Sequence, residues 1–139
     1  MNLWRRIPAF VWGDVAGALI AGLVAGAFFD ATAMMIFPAV MVGNALTGLL
    51  VCWWALGFTA SGWKLWLVAT IANPMLIGGI VWAAMDYDCL FAGKSGWSCL
   101  LSDVGPFIAG MSLIPPLVGL IVRGLAQLAE TAASSPNRP

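Results

Sequence analysis

Four long apolar stretches, separated by short polar segments, make up most of the chain. The third is the most sharply bounded, because 21 residues without a formal charge lie between Lys64 and Asp86. At about 1.5 Å per residue, a helix of this length crosses a hydrocarbon core of about 30 Å. Trp63 and Trp82 lie near its two ends, where interfacial aromatic residues are enriched in membrane proteins. The pattern therefore predicts a transmembrane helix over residues 64–85.

The other three apolar stretches are also long enough to span a membrane. They cover residues 9–29, 33–58 and 104–125, and the only sizeable polar segment between stretches is the loop 86–103. The sequence therefore predicts an all-α integral membrane protein. We expect a single domain, a four-transmembrane-helix antiparallel bundle, with residues 126–139 as a solvated tail.

The first stretch has a second interpretation as a secretory signal peptide. Arg5 and Arg6 precede it, and Ala31-Thr32-Ala33 is similar to a small-residue cleavage site. The length of the stretch and the immediate start of the next one favour a membrane span.

The composition supports a membrane protein and narrows its function. Of 139 residues, 62% are apolar and only 9% are charged, whereas about a quarter are charged in soluble domains. There is no histidine, which removes the commonest general base near neutral pH and the usual axial ligand of haem. The sequence carries no phosphate-binding glycine loop, nucleophile elbow or basic patch. We therefore expect no enzyme activity, no cofactor and no nucleic-acid partner.

The basic residues predict the orientation of the chain. Four spans place both termini on one side, and Lys94 stands alone on the other. The remaining basic residues share the side of the termini: Arg5, Arg6, Lys64, Arg123 and Arg138. By the positive-inside rule that side is cytoplasmic. We therefore expect a multi-pass protein of a bacterial inner membrane, with the loop 86–103 outside.

Two of the three cysteines lie in the external loop. Cys89 and Cys99 are ten positions apart on the oxidising side, so we predict that they form a disulfide bond. Closing a loop of this size stabilises a protein by about 2 to 3 kcal/mol in the chain-entropy treatment. Cys52 lies in an apolar stretch, which favours a free and unreactive thiol.

Four spans with an external cysteine pair give a layout that resembles the quinone-linked membrane thiol oxidases of the disulfide-forming pathway. Those enzymes pass electrons onward through a second external pair in a C-x-x-C arrangement. Here the first external turn has no cysteine, and Cys52 lies within a span. The resemblance is therefore one of layout and does not extend to the electron-transfer residues.

Four glycines of the first stretch form two pairs with small-xxx-small spacing, Gly13 with Gly17 and Gly22 with Gly26. At about 100° per residue, the two pairs lie on opposite faces of the helix. Small residues of this kind let helix backbones approach closely in membranes. We expect two neighbouring helices within one bundle; the alternative is that one face docks a second polypeptide.

Polar and helix-breaking residues recur at one depth in three of the spans. Counted from the helix ends at about 1.5 Å per residue, they lie near the bilayer midplane. These residues are Asn44, Thr47, Asn73, Pro74, Pro115 and Pro116. Transporters use interrupted helices at this depth to bind substrates or ions. The alternative is that the polar side chains hydrogen-bond to one another across the bundle and serve packing.

Asp14 is the only acidic residue within a predicted span. Ionisable residues inside membranes are functional-site candidates by default. Its position near the cytoplasmic boundary predicts that it is hydrated or paired with Arg5, Arg6 or Arg123. Four other aspartates are expected on the external surface without a metal ion: Asp30, Asp86, Asp88 and Asp103.

These features favour a non-catalytic accessory, anchoring or assembly subunit of a larger membrane complex. The paired glycine faces, the eight tryptophans and the small soluble portions support this expectation. The alternative is a small oligomeric transporter or channel protomer with the midplane layer as its pathway. The expected partners are membrane lipids and either other membrane subunits or further copies of this chain.

Overall fold

The protein is helical throughout the part of the chain that the computed structural model describes, residues 8–28, 30–85, 87–94 and 96–134. Seven α-helices and one 3₁₀ turn, Trp97–Cys99, are present there, and no strand. The helices are α1 (Ala9–Ala27), α2 (Ala33–Leu56), α3 (Gly62–Ile71), α4 (Pro74–Ala84), α5 (Tyr87–Phe91), α6 (Leu100–Met111) and α7 (Ile114–Ala133). The predicted all-α class is confirmed.

Several helices are long and apolar enough to cross a membrane. Three segments meet this condition alone: Ala9–Ala27, Ala33–Leu56 and Val104–Ala133, which joins most of α6 to α7. A fourth span results if α3 and α4, which meet at a bend of 52°, are counted together. Many large apolar side chains are exposed on these helices, as expected for surfaces that face lipid.

Two boundaries differ from the sequence prediction. The helix predicted to end at residue 125 continues to Ala133, because residues 126–133 consist largely of good helix formers. Residues 126–133 are therefore helical, but residues 127–133 are exposed, so the structure does not contradict a solvated tail there; residues 135–139 lie outside the described part. The predicted loop 86–103 contains the short α5 and the first turn of α6.

The first helix packs between the second and the last. A Cβ atom added at Gly13 would lie 2.7 Å from the Cα of Gly119 on α7, and one at Gly17 would lie 2.8 Å from Val118. The other pair of glycines faces α2, where Gly22 meets Pro38 and Gly26 meets Met34. Both glycine faces are thus filled by helices of this chain. The alternative that one of them docks a second polypeptide is wrong.

The two halves of the bent segment have different neighbours. α3 packs against α2 and α7, whereas α4 packs mainly against α6. Gly79 and Gly105 form the closest approach of α4 and α6, since a Cβ atom on either would meet backbone atoms of the other helix. Two core clusters result, one around Phe10 and Leu65 and the other around Ala18 and Met41.

Candidate functional site

The break between α3 and α4 is built by Asn73 and Pro74. Asn73 is only 2% exposed, and its Oδ1 accepts a hydrogen bond of 2.9 Å from the backbone N–H of Met75. It thereby caps the first turn of α4, where Pro74 needs no donor of its own. The helix therefore ends and restarts inside the apolar segment, with the two halves at 52°.

A second break lies between α6 and α7, at Ser112 and Leu113. Ser112 is buried and donates a hydrogen bond of 2.6 Å to the carbonyl oxygen of Ala109. Pro115 and Pro116 follow in the first turn of α7 and are both buried. Proline is tolerated there because the first N–H groups of a helix have no partner within it.

The two breaks lie opposite each other. On one side of them Gly62 of α3 approaches Leu120 of α7, and on the other Gly79 of α4 approaches Ala109 of α6. The two segments are antiparallel, since residue numbers rise along α3 and α4 while they fall along α7 and α6. Asn73 and Ser112 both lie between these two contacts. Asn73 is therefore aligned with the turn at Ser112, although Val104–Ala133 continues through that turn as one long helical segment.

The hydrogen bonds expected across the midplane layer are not formed. Nδ2 of Asn44 donates to the carbonyl of Val40 at 2.7 Å, and the Thr47 hydroxyl donates to Gly43 at 3.0 Å, both within α2. Asn44 is partly buried, whereas Thr47 is exposed. The interpretation that these residues and Asn73 bind one another as packing contacts is wrong, because each finds a backbone partner in its own helix or turn.

Asn44 instead lines a lateral cavity of about 350 Å³ between α2, α4 and α6. Pro74 and Gly78 line it on α4, and Ile108 lines it on α6. Its surface is almost entirely apolar, and the Asn44 side chain is its principal polar group. The structure thus brings Asn44 and Pro74 to one site and leaves Thr47 outside it.

Asp14 lies in the interior of the described protein. It is 1% exposed, and neither carboxylate oxygen has a hydrogen-bond partner in the described structure. Arg123 is described and makes no ion pair with it, and Arg5 and Arg6 lie outside the described residues. The expectation that Asp14 is hydrated or paired with Arg123 is therefore wrong, because α2 and α7 enclose this face of α1 on both sides.

The direction of the Asp14 side chain follows from its position in α1. At about 100° per residue it lies between the glycine face that meets α7 and the one that meets α2. Phe10, one turn earlier on the same face, packs with Cys52 of α2 and Leu65 of α3. Asp14 lies close enough to Cys52 for electrostatic interaction, and its backbone N–H lies beside Gly119 of α7. Asp14 thus lies between the faces of α1 that pack against α7 and α2.

Two further polar groups, on α3, lack partners in the described structure. The Oγ1 atom of Thr70 and the Nε1 atom of Trp66 are buried without a hydrogen bond. Their spacing of four residues matches the helical repeat, so they lie on one face of α3, and Asn73 follows three residues later, just beyond the end of α3. Thr70 and Trp66 were not among the candidate residues predicted from the sequence. The same spacing, extended backward from Asn73, could have identified them.

Cys89 and Cys99 form a disulfide bond with an S–S distance of 2.02 Å, and Cys52 is free, buried and donates to the Leu65 carbonyl at 3.4 Å. Asp88 pairs with Lys94 at 2.9 Å on the exposed surface near this bond.

The remaining acidic candidates do not converge on one site. Oδ1 of Asp30 accepts a hydrogen bond of 2.7 Å from the N–H of Ala33 at the start of α2. Asp86 lies outside the described residues, and so does the side chain of Asp103. Over the described ranges, no three histidine, cysteine or acidic residues are grouped as metal ligands.

Comparison of the chain with protein-family models, with curated proteins and with solved structures found no match. The candidate site is defined by the structure alone and consists of the buried Asp14 carboxyl group, the polar groups of α3, and the break at Asn73 with the turn at Ser112 opposite it.

Proposed function

We propose that this chain is the protomer of a small, oligomeric membrane transporter or channel. The observation that carries the proposal is Asp14, a fully buried carboxyl group without a hydrogen-bond partner inside an apolar helix. Burying such a group without a partner is costly, and ionisable residues in membrane spans mark ion pathways and proton relays. A purely structural subunit would be more stable with an apolar residue at this position.

The break between α3 and α4 supports the same proposal. A helix that ends inside an apolar segment leaves backbone N–H or C=O groups without partners in the helix. Transporters place such ends near the bilayer midplane, where they contact substrates or ions. In this chain the break at Asn73 lies opposite the break at Ser112, one helix turn or two from the level of Asp14.

For the membrane arrangement we propose four spans in an antiparallel bundle, with α3 and α4 as one interrupted span. Both termini would lie in the cytoplasm of a bacterium, and the disulfide-bonded segment would lie outside the inner membrane. The distribution of basic residues supports this orientation. The Cys89–Cys99 bond supports it independently, because disulfides persist on the oxidising side.

The second candidate function is an accessory, anchoring or assembly subunit of a larger membrane complex. The lateral cavity between α2, α4 and α6 favours it, since an apolar surface of this kind can accommodate a side chain of a partner helix. The paired glycines no longer support this candidate, because both of their faces are occupied within the chain.

Purification from native membranes in mild detergent, followed by reconstitution into liposomes, distinguishes the two functions. We expect a homo-oligomer that conducts protons, sodium or potassium, followed with fluorescent indicators, and a loss of this flux in Asp14→Asn. Asp30→Asn is the matched control, because Asp30 is exposed and asparagine retains the oxygen that accepts from Ala33. A defined set of foreign subunits without any of these fluxes would replace the transport proposal by the accessory one.

A further inference from the structure

We propose that Asp14 is a proton-binding site in the protein interior, at which the carboxyl group rests as the neutral acid and exchanges its proton with water during function. The balanced step is the union of a carboxylate with a proton to give a carboxylic acid, and its reversal. The existence of this site does not depend on the proposed transport function. Its role as the coupling site for protons does rest on that function.

The burial of Asp14 favours its neutral form. Both carboxyl oxygens are buried and have no hydrogen-bond donor in the described structure. An ionised carboxylate in this position would lose its hydration without a compensating hydrogen bond, whereas the neutral acid loses much less. The exclusion of water and the lack of a hydrogen-bond donor therefore favour the protonated form of the Asp14 carboxyl group.

Neighbouring charges do not reverse this preference. The titratable side chains of the packed helices are Cys52 on α2, Lys64 on α3, and Arg123 and Glu130 on α7. Cys52 is a buried thiol whose hydrogen bond goes to a backbone carbonyl. Lys64 is exposed beside Trp63, Glu130 is exposed near the end of α7, and Arg123 makes no ion pair with Asp14. The described residues therefore give Asp14 no cation to stabilise its charge.

The surroundings fit a proton better than a metal ion. Magnesium and calcium require about six or more oxygen ligands, commonly several carboxylates and carbonyls. The described groups close to Asp14 include the Cys52 thiol and the Gly119 backbone. Of the helices that pack against α1, α2 carries no acid, and the one acid of α7, Glu130, is exposed near the end of that helix. A proton needs only the carboxyl group itself.

Infrared spectroscopy of the purified full-length protein in detergent tests the proton site directly. We expect the carbonyl stretching band of a protonated carboxylic acid at neutral pH, with a shift in heavy water. Asp14→Asn should abolish the band and Asp30→Asn should leave it unchanged. Absence of the band in the wild-type protein, or its persistence in Asp14→Asn, would overturn the proposal.

A second measurement keeps the test decisive if Asp14→Asn fails to fold. Dicyclohexylcarbodiimide is apolar and reacts with protonated carboxyl groups, so it should modify Asp14 in the wild-type protein. We expect the modified Asp14 peptide in mass spectra at neutral pH, with labelling that falls as the pH is raised. Labelling that is confined to exposed acids such as Asp30 and Asp88 would contradict a protonated interior acid.

Proton flux in liposomes separates the two proposals. Flux that requires Asp14, together with the infrared band, supports both. The band without any flux retains the proton site and removes its coupling role along with transport. Flux that persists in Asp14→Asn retains transport and overturns Asp14 as the coupling site.

Discussion

The contact between α4 and α6 makes a sharp prediction about two adjacent glycines. A Cβ atom at Gly79 would lie 2.6 Å from the backbone nitrogen of Ala109 and 2.7 Å from the carbonyl oxygen of Gly105. A Cβ atom at Gly78 would meet no atom within 4 Å. Gly79→Ala should therefore separate the two helices, whereas Gly78→Ala should not disturb them.

The expected difference in stability between the two variants follows from two opposing free-energy contributions. Replacing glycine by alanine within a helix favours the helix by up to about 1 kcal/mol in either variant. Forcing a methyl group against backbone costs roughly 1–3 kcal/mol, and the backbone atoms at Gly79 cannot rotate away as a side chain could. The gain in helix propensity is the same for both variants, so it cancels when their stabilities are compared. We therefore expect Gly79→Ala to be less stable than Gly78→Ala by roughly 1–3 kcal/mol.

Unfolding in mixed micelles, with an increasing fraction of denaturing detergent and circular dichroism as the signal, measures this difference. Gly105→Ala should behave like Gly79→Ala, because its Cβ atom would lie 2.5 Å from the nitrogen of Ala83. The double variant should cost less than the sum, since one separation of the helices relieves both contacts. Equal stability of the Gly78 and Gly79 variants would refute the close packing of α4 on α6.

Three further predictions concern the disulfide bond, the helix break and the orientation. Replacing Cys89 and Cys99 by serine should lower the free energy of unfolding by about 2 to 3 kcal/mol, measured by thermal denaturation, and unaltered stability would argue against the bond. Asn73→Leu should cost about 1 kcal/mol through loss of the cap on α4, whereas Asn73→Ser should retain most of the stability; equal losses in both variants would exclude a capping role. A cysteine introduced at Lys94 should react with a membrane-impermeant reagent in intact spheroplasts, and one at Ser134 should not; the reverse labelling would invert the proposed orientation.

The helix break was accessible from the sequence because its cause is local. Pro74 lacks the donor that would continue α3, and Asn73 is a residue type that caps the next helix. The glycine pairs of α1 were equally accessible, since their spacing alone determines which faces they occupy. In each case neighbouring residues contain the physical reason for the structure.

The burial of Asp14 was not accessible in this way. Its position along α1 predicted a place near the membrane boundary, but its exposure depends on how α2 and α7 pack against α1. The prediction for Thr47 was wrong in the opposite direction. It was expected inside the bundle, but the rotation of α2 about its axis leaves it on the exposed side. Both properties depend on helix rotation and contacts between distant segments, which the pattern along one helix does not determine.

The position of α1 between α2 and α7 bears on how the protein is assembled during synthesis. α2 follows directly in the chain and can cover Gly22 and Gly26 early, whereas α7 is made last and covers Gly13 and Gly17. Until α7 is inserted, lipid or a membrane insertase must cover the Gly13 and Gly17 face of α1 and the neighbouring Asp14. Chains that end before α7 should therefore be degraded by membrane proteases. Insertion of α7 would complete the burial of α1 and protect the chain from this degradation.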